Sequence, residues 1–404
     1  MKRGVRPVYL DSEKCNGCVN CMKKCPTEAI RVRNGKATIM YERCIGCGEC
    51  VKVCRSNAKK EYFDPIDIIS GFKYKIAIPS SSIYGQFNNL TDVNYVLTGL
   101  KKLGFDDVVD AAVGAEYVAA ATNAYLKNPN IPRPLISSSC PAIVNLILMR
   151  YDYLIDNLSP IQQPEEVAAN IARAKAAMET GLKPSDIGVF VITQCAANAA
   201  FLRESENAKI DGVLSIKAIY FDLLNAMNSV KTPEKLAMAG NTGLCWGTLA
   251  GEAQSDMYNT YLSADGISNV LTIFEDLEHD KLSGVDFIEL YACSLGCVGG
   301  TMNIESPYLA RTRLMKLKNS GEQSNINVHD FGAYVRKTPY ESDNVFKLDE
   351  NRLEAMKKAI RVKDIYEKLP KLDCGNCGAP CCMAFAEDVV RGLDVKCRYN
   401  TEDD

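Results

Sequence analysis

The hydrophobic pattern divides the chain into three textures. Over residues 1–62 apolar positions come in short bursts between cysteines, with one apolar strand at Val5–Leu10 and a hairpin over Arg31–Met40 that turns at Asn34-Gly35. From Lys73 to about Asp343, short apolar runs alternate with longer stretches of helical period. Tyr74–Ile78, Asp107–Val109, Ile187–Ile192 and Phe287–Leu290 predict buried strands. Asp92–Leu103, Ala115–Leu126, Pro141–Tyr151, Pro164–Thr180 and Thr232–Ala239 predict helices. That alternation is the pattern of α/β folds with parallel sheets. Residues 61–71 read as a connector and 317–325 as a polar loop. A charged amphipathic helix over Asp349–Glu367 leads to a cysteine-rich tail with a short helix at Ala384–Val390. The expected domains are 1–62, 72–345 and 346–404.

Eighteen cysteines punctuate this pattern, against two histidines. The first eight read Cys15-x2-Cys18-x2-Cys21-x3-Cys25-Pro26 and Cys44-x2-Cys47-x2-Cys50-x3-Cys54, a bacterial ferredoxin run written twice. Thiolates at this spacing close on three irons of one cubane from a single loop, and the fourth cysteine of each run ligates the other cluster. One 4Fe-4S cluster therefore takes Cys15, Cys18, Cys21 and Cys54, and a second takes Cys44, Cys47, Cys50 and Cys25. Zinc ribbons and disulfide scaffolds are rival readings, but common zinc sites take their ligands in two pairs. Cluster loop plus helix is the one internal repeat.

Composition narrows the function classes. Apolar residues make up 47% of 404, enough for two or three domains with a sizeable core. A formal net charge of −3 argues against a nucleic-acid partner. The N-terminus has no apolar signal region, and the longest apolar runs, such as Ile143–Met149, fall far short of a membrane span. So many thiolate ligands need a reducing compartment, so a cytoplasmic location in an anaerobe is expected. His279 and His329 lie in polar stretches and read as surface residues, which leaves no basis for a histidine-rich metal site or a Ser-His-Asp triad. Neither G-x-G-x-x-G after a strand nor G-x4-G-K-S/T occurs, so no nucleotide site is expected.

The tail reads Cys374-Gly-Asn-Cys377-Gly-Ala-Pro-Cys381-Cys382, with Cys397 further on. It resembles the small iron–sulfur domain of electron-bifurcating complexes and carbon monoxide dehydrogenase-type proteins. On that register Cys374, Cys377, Cys382 and Cys397 hold a 4Fe-4S cluster and Cys381 is spare. An all-cysteine zinc knuckle is the alternative.

Five cysteines remain: Cys140, Cys195, Cys245, Cys293 and Cys297. Cys140, Cys195 and Cys293 share one plan, an apolar strand or turn, then Cys, then a helix. Carboxyl ends of strands face the ligand crevice in α/β folds, and helix N-termini there favour an anionic ligand such as a thiolate-bound cluster. Separate core cysteines are the alternative. Cys245-Trp246, flanked by glycines, reads as a buried core pair or as part of the cluster pocket. Arg311 and Arg313 read as solvated, with docking of the ferredoxin module as the other possibility. Glu204 and Glu206 read as an exposed helix face.

Three segments, Ser137-Ser-Ser139-Cys140-Pro141, Thr193-Gln194-Cys195-x2-Asn198 and Glu289-Leu-Tyr291-Ala-Cys293-x2-Gly-Cys297-x-Gly-Gly300, resemble the three signatures of the FeFe-hydrogenase catalytic domain. Those signatures are T-S-C-C-P, P-C-x-x-K and E-x-M-A-C-x-x-G-C-x-x-G-G. The order of modules is similar to the sensory-type branch of that family. The resemblance implies an α/β hydrogenase-like domain with two parallel-sheet lobes around a central cluster. An N-terminal ferredoxin-like α+β module and a small C-terminal helical iron–sulfur domain would flank it. It also implies an H-cluster, a 4Fe-4S cubane joined by one cysteine to a diiron unit with CO and cyanide ligands. Cys140, Cys195 and Cys293 would hold the cubane and Cys297 would bridge.

The departures bear on activity. Catalytic members of the family carry a proton-relaying cysteine where this chain has Ser139, and a cyanide-binding lysine where it has Asn198. The acidic pair of their proton path falls near Ala121-Thr122, where neither residue is acidic. Pro79-Ser80, after a strand, matches a family approach to the diiron ligands. Two functions are open: an FeFe-hydrogenase homologue that binds or slowly interconverts H2 with protons as an H2 or redox sensor, and a non-catalytic carrier or scaffold with a cubane alone. Partners would be H2, protons, a ferredoxin or similar redox protein and, for the diiron unit, hydrogenase maturation factors.

Overall fold

The computed structural model describes residues 5–253, 260–318, 326, 328, 330–393, 395–397 and 399. Its central region holds two all-parallel sheets. The larger runs Asp107–Val108, Tyr74–Pro79, Ile187–Thr193, Gly212–Ser215. The smaller runs Tyr261–Asp265, Phe287–Tyr291, Leu135–Ile136. Every residue of Ile187–Thr193 and of Phe287–Tyr291 is buried, as expected of parallel strands covered on both faces. Helices Ala111–Leu126 and Pro164–Thr180 pack on each other beside the larger sheet. The second of these starts with proline in its first turn and a reciprocal Gln163–Glu166 capping box.

The predicted elements are largely observed, with one clear correction. Thr232–Ala239 forms no helix. Its backbone N–H groups are claimed by another helix: Glu234 donates to Thr98 Oγ1 (2.9 Å), and Leu236 and Ala237 both donate to Asn94 Oδ1 (2.8 Å each). The helix of this region is instead Ile216–Asn228, packed on Asn94–Lys102. A further helix, Ile267–Glu278, covers the smaller sheet.

In the N-terminal module Val8–Leu10 pairs antiparallel with Lys59–Glu61, and Ile30–Arg33 forms a hairpin with Lys36–Ile39. The internal repeat persists at atomic level. Cys25 Sγ accepts from Ala29 N and Cys54 Sγ from Ala58 N, each at 3.2 Å.

The C-terminal module, helices Arg352–Lys368 and Cys382–Val390, docks on that hairpin. Asp388 receives Arg31 on both oxygens (2.7 and 3.0 Å) and Arg33 at 2.6 Å, while Glu387 pairs with Arg43. Both Arg31 and Asp388 side chains are 3% exposed, so this is a buried, bidentate pair. Val32 N donates to Gly378 O at 3.0 Å, and a Cβ on Gly378 would stand 2.1 Å from Val32 O. Only glycine permits that approach. Phe346, in the linker, lies under the guanidinium groups of both Arg43 and Arg150, which ties the three modules at one point.

Candidate functional site

The carboxyl ends of the two sheets meet at one cavity, of about 650 Å³ counted with its mouth. All four sequence-selected central cysteines line it: Cys140, Cys195, Cys293 and Cys297. Cys140 caps helix Pro141–Arg150, and Cys195 caps Ala196–Arg203 with its sulfur accepting from Asn198 N at 3.3 Å. Cys293 departs from the expected plan, because its strand runs into a turn and the short 3-10 segment Cys297–Gly299 rather than a helix. Gly300 explains the tight loop: a Cβ there would meet Gln194 O at 2.3 Å, so the Cys297 loop lies directly on the Cys195 turn. Burial raises all four thiols above their usual value, Cys293 to about 11. Left free they would stay protonated, whereas a coordinating metal deprotonates a thiol outright.

Ser139 and Asn198 also line the cavity. Asn198 Nδ2 donates to Glu165 Oε1 (3.0 Å) and Thr193 Oγ1 (3.1 Å), and Oδ1 is buried without a partner. Its amide protons are therefore already committed, which removes the donor expected at this position. Ser80, Ser81 and Ser82 follow the strand Tyr74–Pro79 into the cavity, and Ser80 Oγ donates to Glu165 at 2.9 Å. Gly247 leaves room, since a Cβ on it would sit 3.3 Å from Ser81 Oγ and 3.5 Å from Cys297 Cβ. Trp246 lines the cavity, while Cys245 is buried in the adjoining core.

Sequence reasoning missed the acidic groups here. Ala121 and Thr122 are buried and do not line the cavity. Ser139 Oγ instead donates to Glu252 Oε2 at 2.9 Å, Ser137 Oγ donates to the same atom at 2.6 Å, and Glu252 N donates to Glu289 Oε1 at 3.2 Å. Ser263 Oγ and Tyr291 OH donate to Glu289, each at 2.9 Å. Burial, with Glu289 alongside, pushes the Glu252 carboxyl up to about 8; burial pushes Glu289 up to about 7. The only hint in the sequence was Glu289, which opens the segment around Cys293.

The other cysteines gather in three groups. Cys25, Cys44, Cys47 and Cys50 line one pocket, and Cys21 lies within electrostatic reach of Cys15, Cys18 and Cys54. In the tail, Cys374, Cys377, Cys381, Cys382 and Cys397 line a pocket. Cys377 and Cys382 interact electrostatically with Cys397, whereas Cys381 faces Glu28 Oε1 at 3.4 Å across the module boundary.

Lesser expectations are corrected. Arg313 is not solvated: it donates to Gly85 O at 3.1 Å and pairs with Glu305 at 2.8 Å. Arg311 Nε is buried. Glu204 follows the end of its helix and accepts from Val5 N at 3.0 Å, and Glu206 accepts from Thr338 beyond it. His279 is exposed; His329 and residues 319–325 lie outside the described residues. Among the described residues no helix is long and apolar enough to cross a membrane.

Residues 73–234 match the model of the iron-only hydrogenase large subunit, C-terminal domain; residues 7–55 match a 4Fe-4S dicluster domain, and 369–395 a putative Fe-S cluster domain. The chain's central region matches the FeFe-hydrogenase family. The chain is 24% identical over 310 residues to iron hydrogenase 1 of Clostridium pasteurianum, covering 68% of this chain and 53% of that relative. This FeFe-hydrogenase homologue thus spans about half the length of the curated relative it matches. It shares its fold with FeFe-hydrogenase HydA1 of Chlamydomonas reinhardtii. An apo variant of that enzyme gives a TM-score of 0.52 at 14% identity, over 67% of this chain and 95% of the other. A second FeFe-hydrogenase structure, concerned with stepwise H-cluster assembly, gives 0.53 at 14%, over 70% and 97%. The parallel-sheet α/β domain of the homologue has the FeFe-hydrogenase fold, and its N-terminal module is ferredoxin-like.

Proposed function

We propose that the central cavity holds an H-cluster and that the protein slowly interconverts H2 with protons and electrons, as an H2 or redox sensor. Cys140, Cys195 and Cys293 would hold the cubane and Cys297 would bridge to the diiron unit. When bound, that group supplies a redox-active metal site at which H2 is split or formed. The observation that carries this reading is the space beyond the four thiols. Besides the four thiols the cavity is lined by Ala111, Ala112, Ala115, Gly243 and Trp246, side chains that offer no ligand to a cubane and would instead enclose the diiron unit. A side chain at Gly247 would crowd the space between Ser81 and Cys297.

The chain's own residues account for slow turnover. Ser139 Oγ holds a proton at the cavity wall, and Glu252 and Glu289 behind it are tuned to exchange protons near neutral pH. A thiol titrates near ~8.5, but a hydroxyl is not a useful acid at neutral pH, so the first transfer is the slow one. The ferredoxin and tail clusters would carry electrons between this site and a soluble redox protein. So many thiolate ligands would need a reducing compartment such as the cytoplasm.

A second reading, a cubane alone with Cys297 as fourth ligand, is favoured by one observation, the committed amide protons of Asn198. Infrared spectroscopy of protein matured with hydrogenase assembly factors separates the two. CO and cyanide bands are expected, and their absence from iron-replete protein would overturn the H-cluster reading.

A further inference from the structure

Lys52 belongs to the ferredoxin module, on the short helix Glu49–Lys52 between Cys50 and Cys54. Its ammonium leaves that module. Nζ lies 3.8 Å from Cys293 Sγ, across the boundary to the central cavity, and 2.9 Å from Glu49 Oε1. The contact is built in by packing. A Cβ on Gly48, the residue that starts this helix, would stand 2.6 Å from Thr301 Cγ2, so the helix is pressed onto the loop that follows Cys297. Ile45 and Cys47 pack in the same apolar cluster as Cys140, Cys195 and Ala197. Lysine and arginine are absent from the cavity lining itself, so this cation reaches its thiols from outside.

We infer that Lys52 is a positioning residue that sets the reduction potential of the central cubane and couples it to the neighbouring ferredoxin cluster. The inference rests on the reading that Cys140, Cys195 and Cys293 hold a cubane. Reduction adds one negative charge to a cluster that already carries thiolates. A cation in contact with one ligand therefore stabilises the reduced form more than the oxidised form. Because Lys52 also lies beside the ligands of the Cys44/Cys47/Cys50/Cys25 group, it screens the repulsion between electrons on adjacent clusters. Glu49 opposes it by neutralising part of its charge. The Lys52 side chain is 34% exposed, so solvent limits the effect. A change of about tenfold in the reduced-to-oxidised ratio, or ~59 mV for one electron, is the expected scale.

The test is an EPR-monitored redox titration of the full-length, cluster-loaded protein, with the tail cluster as internal reference. Lys52→Met is expected to lower the midpoint of the central cubane by about that amount, Lys52→Arg to restore most of it, and Glu49→Gln to raise it. The cubane is read whether or not the diiron unit is present. An unshifted midpoint in iron-replete Lys52→Met protein would overturn the assignment. So would an equal shift of the tail cluster, which marks a general structural effect. Absence of any central cubane signal in the wild type would remove the underlying reading, and the assignment with it.

Discussion

Ser139 Oγ donates a 2.9 Å hydrogen bond to Glu252 Oε2, which couples a hydroxyl of the cavity wall to a buried carboxyl. Glu252 lies in a different part of the chain from Ala121-Thr122, where the family's acidic pair would fall and where neither residue is acidic. On the proposed reading, Ser139, Glu252 and Glu289 would carry protons instead.

Glu252→Gln keeps the shape and the hydrogen bonds of Ser137 and Ser139 but cannot exchange a proton. We expect H2 evolution and oxidation by matured protein to fall by about 10²-fold, with iron content unchanged. Equal activity in variant and wild type would remove Glu252 from the path.

The same carboxyl gives a pH signature. Its pKa is raised from 4.5 to about 8 by burial first and the Glu289 charge second, so between those values the folded protein binds more protons than the unfolded chain. Stability should fall as pH rises through that window, and Glu252→Gln should flatten the slope. Thermal unfolding across the window checks the sign; rising stability in the wild type would contradict it.

Ser139→Cys should raise H2 turnover. The thiol stands where the hydroxyl does, beside Glu252, and titrates near ~8.5 rather than far above it. No gain in fully matured protein would show that proton delivery at Ser139 is not the slow step.

In the tail, Cys382→Ser should lose one 4Fe-4S cluster while Cys381→Ser keeps it, because Cys382 lies toward Cys397 and Cys381 faces Glu28. Iron content with EPR decides the register. The reverse result would make Cys381 the ligand.

Asp388→Ala strands Arg31 in a buried site, at a cost of about 3–5 kcal/mol to docking of the tail. Hydrogen exchange over 374–393 should accelerate while the central sheets stay protected. Unchanged protection of the tail would mean that Gly378 and the linker hold it without the ion pair.

Much of the fold was legible because its signals are local. Ile187–Thr193 is a continuous apolar run, and the ferredoxin loops are written in cysteine spacing. Ile216–Asn228 was missed, although its apolar positions 216, 219, 223 and 227 lie on one face. Thr232–Ala239 was misread, because its conformation is set by Thr98 and Asn94, residues of another helix. The central thiols could be grouped from sequence since each follows a strand or turn. Glu252 could not be found, because its role exists only where it meets Ser139 and Glu289 in space.

The presence of the diiron unit is tested most directly by the infrared spectrum of protein matured with the hydrogenase assembly factors. The expected result is CO and cyanide stretching bands that shift when H2 replaces an inert gas, persist in Ser139→Cys and respond more slowly in Glu252→Gln. A spectrum without those bands, from protein whose central cubane is present by EPR, would contradict it.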